Sequence, residues 1–135
     1  DVFVAVFGAS DISTMKPINI TDEDFSQALA SSVESSGLFR KALKDGQGKY
    51  QLQAMFVQLD EQIFGIDMTA SMEVNYILAS TIPKKALWEK RIASSFTAGM
   101  SDSVIAITRL QLATEGAARR NIEQAIQEIS KLQLE

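Results

Sequence analysis

Between Phe64 and Ala79 apolar and polar side chains alternate with a period of two. Phe64, Ile66, Met68, Ala70, Met72, Val74, Tyr76 and Leu78 fall on one parity, and Asp67, Thr69, Ser71, Glu73 and Asn75 on the other. Successive side chains of an extended backbone point to opposite sides, so this pattern predicts a strand with one dry and one mostly wet face. A helix would draw Asp67 and Glu73 into its own apolar stripe. Alternation of this kind belongs to an antiparallel sheet covered on one side only, so a layer of helix is expected on the dry face.

The chain opens with Val2 to Phe7, a β-branched and aromatic run that stops at Gly8. It predicts a strand apolar on both faces, lying inside the sheet or covered by a partner. The stretch from Gly8 to Pro17 has no periodicity and reads as an irregular loop or a weak strand extension. Asn19-Ile20-Thr21 matches a glycosylation sequon, a three-residue pattern that recurs by chance. Thr21 followed by Asp22, Glu23 and Asp24 is a helix start, with a hydroxyl to cap free amides and acids at the positive end of the helix dipole. A metal site built from those acids is the sharper and weaker reading. Phe25, Ala28, Leu29, Ser32 and Val33 share one side at helical spacing, and Gly37 supplies a left-handed stop with Leu38 and Phe39 folding back over the last turn. The predicted helix spans Asp22 to Ser36.

Arg40 to Lys49 holds two glycines and four basic residues and reads as a solvated connection. Gly46-Gln47-Gly48-Lys49 leads into a strand, where a phosphate-cradling loop would lead into a helix. In the strand predicted from Tyr50 to Asp60, the apolar phase of Tyr50, Leu52, Ala54 and Phe56 changes parity at Val57 and Leu59, which a β-bulge near Met55 to Val57 would reconcile. Glu61 to Ile63 is the expected turn into the central strand, and Ser80 to Lys85, with Pro83, the turn out of it. Leu87 to Thr97 is the last strand. Lys90 and Ser94 interrupt its apolar face of Trp88, Ile92 and Phe96, which places it near an edge. A helix of about 30 residues is expected from Ser101 to Ser103 nearly to the end, with Leu110, Ala113, Ala117, Ile122, Ala125 and Ile129 in its stripe and Arg109, Glu115, Arg119 and Arg120 mostly off it. Gly116-Ala117-Ala118 forms a small patch suited to close packing.

The order strand, helix, three-strand meander, helix predicts an α+β two-layer sandwich: a four-stranded, mostly antiparallel sheet with two helices on one face. At 135 residues with 46% hydrophobic content, residues 1–135 make one domain with a real core. A net charge of -4 argues against general nucleic-acid binding. Without cysteine or histidine there are no disulfides, no usual zinc sites and no histidine-based triads. No cofactor and no metal site is expected, and no catalytic constellation is visible. No apolar run approaches the roughly 18 to 20 residues that span a bilayer.

Several phrases together carry a resemblance. DFSQALASSVESSGLF (Asp24 to Phe39), Tyr50-Gln51-Leu52 after a basic loop, Leu87-Trp88-Glu89, and RLQLATEGAARRNIEQAIQEISKL (Arg109 to Leu132) resemble the small lipoproteins of the Gram-negative cell envelope. The chain is similar to the lipopolysaccharide-assembly lipoprotein and to auxiliary lipoproteins of envelope ABC transporters. The resemblance implies a lipidated cysteine upstream of Asp1, a periplasmic domain tethered to the outer membrane, and a non-enzymatic accessory role that binds a protein partner in envelope transport or assembly. The alternative is a carrier or sensor of lipid or glycan, with Met55, Met68, Met72 and Met100 lining a crevice between sheet and helices. Because two helices on one side leave the second face of the first strand uncovered, Phe3, Ala5 and Phe7 are the expected partner-binding residues, through self-association or an envelope protein. The other arrangement has Gly8 to Asn19 folding back over Phe3 and Phe7.

Overall fold

The computed structural model describes residues 2–7, 21–39, 42–43 and 48–132. Its elements are β1 (Val2–Phe7), α1 (Asp22–Ser36), β2 (Ala42–Leu43), β3 (Tyr50–Phe64), β4 (Asp67–Thr81), β5 (Lys84–Ala98) and α2 (Ala106–Ser130). They form an α+β sandwich in which an open sheet of order β2-β1-β3-β4-β5 carries both helices on one face. The meander β3-β4-β5 is antiparallel, whereas β1 runs parallel to β3 and to β2, so the sheet is mixed. The first strand lies inside the sheet and the last at its edge, both as the side-chain pattern predicts.

Local chemistry explains the helix ends. Thr21 is extended, and its Oγ1 accepts from the Asp24 amide at 3.0 Å, satisfying one donor that the first turn leaves open. Gly37 closes α1 at φ 75°, a conformation that costs a Cβ-bearing residue. Phe25, Leu29 and Val33 drop from one side of α1 into the core, where the Phe25 ring meets Phe56 edge-on with centroids 4.8 Å apart. Each such burial is worth about 1.5 to 3 kcal/mol against an exposed side chain. Phe39 turns inward against Tyr50, while Leu38 stays at the surface.

The parity change in β3 is a bulge at Val57, where the register with β4 shifts between Phe56 and Gln58. It brings Leu59 to the helix side, against Met72, after Tyr50, Leu52, Ala54 and Phe56. A second shift, between Leu78 and Ala79, leaves Leu87 as the extra residue of β5.

Four expectations are corrected. Glu61 to Phe64 continue β3 instead of turning: the hairpin bends at Gly65-Ile66, with Gly65 at φ 61°. Ala42–Leu43, inside the expected solvated connection, pair with Val2 and Phe3 as a fifth short strand. The last helix begins at Ala106, after its upstream polar groups are spent on a turn. There the Asp102 carboxylate accepts from the Gly99 amide and the Ser103 hydroxyl from Ile105. Arg109 is buried, with Nη1 donating to the Ser103 carbonyl at 2.9 Å. The expected loop over 8–17, Asn19 and Ile20 of the sequon, and Gly46-Gln47 lie outside the described residues.

Two contacts fix α2 on the sheet. A Cβ added at Gly116 would stand 2.4 Å from Cγ of Phe96, so only glycine lets the helix approach that ring. One and a half turns on, the fully buried Asn121 accepts from the Tyr76 hydroxyl at 2.7 Å and donates to the Ile92 carbonyl and Ser94 Oγ. Ser94 in turn donates to the Ala117 carbonyl, so every member has a partner.

Candidate interaction surface

With both helices on one side, the opposite face of the sheet is covered by no described element. The register assembles this face. Phe3 stands beside Gln51, with Ala79 on the far side of that glutamine, and Ala5 beside Gln53, with Ile77 beyond it. Phe3, Ala5, Ile77 and Ala79 are half-buried by their neighbours, and Met55 is 53% exposed. Phe7 pairs with Met55 through the backbone, but its side chain is outside the described residues. Whether Gly8 to Asn19 cover Phe3 likewise lies outside them.

Ile77 and Ala79 join the expected residues Phe3 and Ala5. Their signal is in the sequence: they are the apolar exceptions on the wet parity of β4, and the register aligns them with β1. Away from this small apolar strip the face is polar. Asn75 Nδ2 donates to Glu89 at 3.1 Å, Arg91 lies 3.7 Å from Glu73, and the Thr69 and Thr97 hydroxyls share a hydrogen bond of 2.7 Å. Exposed pairs of this type contribute about 0 to 1 kcal/mol, so they are readily exchanged for contacts with another molecule.

The titratable groups with shifted pKa values lie elsewhere. Glu61 is on the helix side, and burial of its two unpartnered oxygens raises its pKa. Burial also raises the Tyr76 phenol. Glu128 is lowered to about 2 by hydrogen bonds from Lys131 and then Lys90. Among the described residues no cluster of three acidic side chains forms a metal site.

The four methionines proposed for a lipid or glycan crevice do not converge. Met68 and Met72 are core residues under α2, Met55 faces outward on the open side, and Met100 sits exposed in the β5–α2 connection. A groove of about 400 Å³ does run between the helices, floored by Phe25, Ala28, Ala118 and Ile122 and rimmed by Asp24, Glu115 and Arg119. None of the four methionines lines it.

No family model matches the chain, and no curated protein matches it. Its fold does match solved structures. A Xanthomonas campestris protein of the DUF330 family aligns with a TM-score of 0.69 at 12% identity, over 97% of this chain and 88% of that one. A minor lipoprotein from Acinetobacter baumannii aligns at 0.60 and 7% identity, over 96% and 91%. PelC from Paraburkholderia phytofirmans, solved as a dodecamer, aligns at 0.60 and 11%, over 93% and 82%. The chain thus has a fold found among cell-envelope lipoproteins of Gram-negative bacteria.

Proposed function

We propose that this chain is the non-enzymatic domain of an accessory lipoprotein, held at the periplasmic side of the outer membrane by an upstream lipid, which binds a protein partner in envelope transport or assembly through the open face of its sheet. The observation that carries the reading is the apolar strip of Phe3, Ala5, Ile77, Ala79 and Met55 on a face that no described helix covers. An isolated apolar side chain at a surface is ordinary, but several gathered on one face around Gln51 and Gln53 support a docking role. The likeness to lipoproteins supports the envelope setting, and the role of a transporter auxiliary is the finer form of the same proposal. PelC is a dodecamer, so self-association through this fold has a precedent, and a second copy is the first occupant to test.

Light scattering of the parent beside Phe3→Ser and Ala5→Glu, with photo-crosslinking from Gln53 and from Glu123 on α2 in intact envelopes, tests it. The expected result is crosslinking from Gln53 alone, lost with Ala5→Glu. A monomeric parent with capture only from Glu123 would move the docking surface to the helices.

A further inference from the structure

The two ends of the sandwich differ in charge. One is the end of the Gly65-Ile66 hairpin and the β5–α2 connection, where Ile63, Ile66, Met100, Val104 and Ile105 are exposed. Among the described residues its exposed charges are the acids Asp67 and Asp102, and Arg109 there is buried. The opposite end is the β4–β5 turn, where Ile82 is 93% exposed and stands proud of everything around it. Lys84 and Lys85 follow at once, both exposed and neither in an ion pair among the described residues. Thr81 binds Lys49 to the same tip: its amide donates to the Lys49 carbonyl at 3.0 Å and its hydroxyl to the Gly48 and Lys49 carbonyls. Ser80 Oγ braces the turn by donating to the Pro83 carbonyl at 2.5 Å.

The nearby described acids are already engaged. Glu34 accepts from the Ala42 amide, Glu89 from Asn75, and Glu128 from Lys90 and Lys131. A rigid convex tip with an apolar point and a basic collar does not fit a groove for a small ligand. It has the chemistry of an interfacial membrane contact, in which the apolar group enters the boundary between headgroups and acyl chains and the cations meet phosphate. The acidic end is as apolar, but an anionic surface repels it.

We propose that the β4–β5 turn docks on an anionic lipid bilayer, with Ile82 in the headgroup boundary and Lys84 and Lys85 on the lipid phosphates. Val2 is in register with Tyr50, which pairs with Ser80, so β1 begins at this same end. The contact is weak and reversible by itself, and it sets which way the domain stands on the surface. It does not depend on an upstream lipid or on the open sheet face.

The test uses the chain without any lipid and phosphatidylcholine vesicles with or without phosphatidylglycerol. Co-sedimentation is expected only with phosphatidylglycerol, weakening as salt rises. Each lysine contributes about fivefold, so Lys84→Gln with Lys85→Gln lowers partitioning about 25-fold. Because the sequence has no cysteine, Ile82→Cys carries a polarity-sensitive fluorophore without competing thiols, and Ile66→Cys reports the opposite end. A blue shift at position 82 and none at 66 is expected. The proposal is overturned by a shift at 66 instead, by a lysine variant that binds as the parent does, or by a folded parent that binds neither vesicle. The last outcome would assign the tip to a protein contact.

Discussion

The two faces of the sheet share strands and backbone yet are held by different physics. On the helix side, Ala70, Val74, Tyr76 and Leu78 of β4 are fully buried, and two contacts admit few substitutes: Gly116 against Phe96, and Asn121 among Tyr76, Ile92 and Ser94. On the open side the same strand presents Thr69, Glu73 and Asn75 in exposed pairwise contacts. One face therefore specifies how the helix sits, while the other is held by exposed contacts that single substitutions can replace. Small errors on the first should be costly and large changes on the second cheap.

That contrast can be broken in order of expected effect. Asn121→Leu should cost about 2 to 4 kcal/mol in urea unfolding, since it strands the Tyr76 hydroxyl and the Ile92 carbonyl in the core. Adding Tyr76→Phe should recover part of the loss, and strict additivity would show that the two groups are not coupled. Gly116→Leu should cost about 1 to 3 kcal/mol by forcing α2 off Phe96, and an unchanged melting temperature would place that face of the helix in solvent. Glu61 gives a pH-dependent test. Its folded pKa is raised above 4.5 by burial, so the folded state holds the proton more tightly than the unfolded one. Its stabilising contribution is full below 4.5 and is lost as pH rises through the raised value. Glu61→Gln should then melt higher than the parent at pH 7, with the difference vanishing on acidification. On the open face, Gln53→Ala should change stability by less than about 0.5 kcal/mol, and a larger loss would mean that this face is packed within the monomer.

The strands were legible because period-two alternation survives in β4 and because the bulge in β3 shows as a change of parity at Val57. The helix α1 was legible to its ends, since Thr21 and Gly37 mark both in their own chemistry. Where the sequence misled, local signals were used for something else. Asp102 and Ser103 look like caps but close a turn, and Ile66 keeps the apolar parity while sitting in the hairpin bend. Ala42–Leu43 is too short to carry a period. The buried role of Asn121 could not be read, because a polar residue beside an apolar stripe looks the same whether it faces water or a buried tyrosine hydroxyl. That β1 has a second apolar face at Phe3 and Ala5 was visible in its composition, whereas only the register shows Ile77 and Ala79 on the same side of the sheet.

The parallel insertion of β1 between β2 and β3 has a consequence for how the chain assembles. From Tyr50 onward each element folds against the one just before it, so a newly emerging chain can close those hairpins as it appears. The first strand pairs instead with segments that follow it at a distance, and Val2 must wait for Ala42 and then Tyr50 before its sheet neighbours exist. During that interval its apolar faces are open to any carrier that accompanies the chain, so a strand made well before its partners is one of the last to join the sheet.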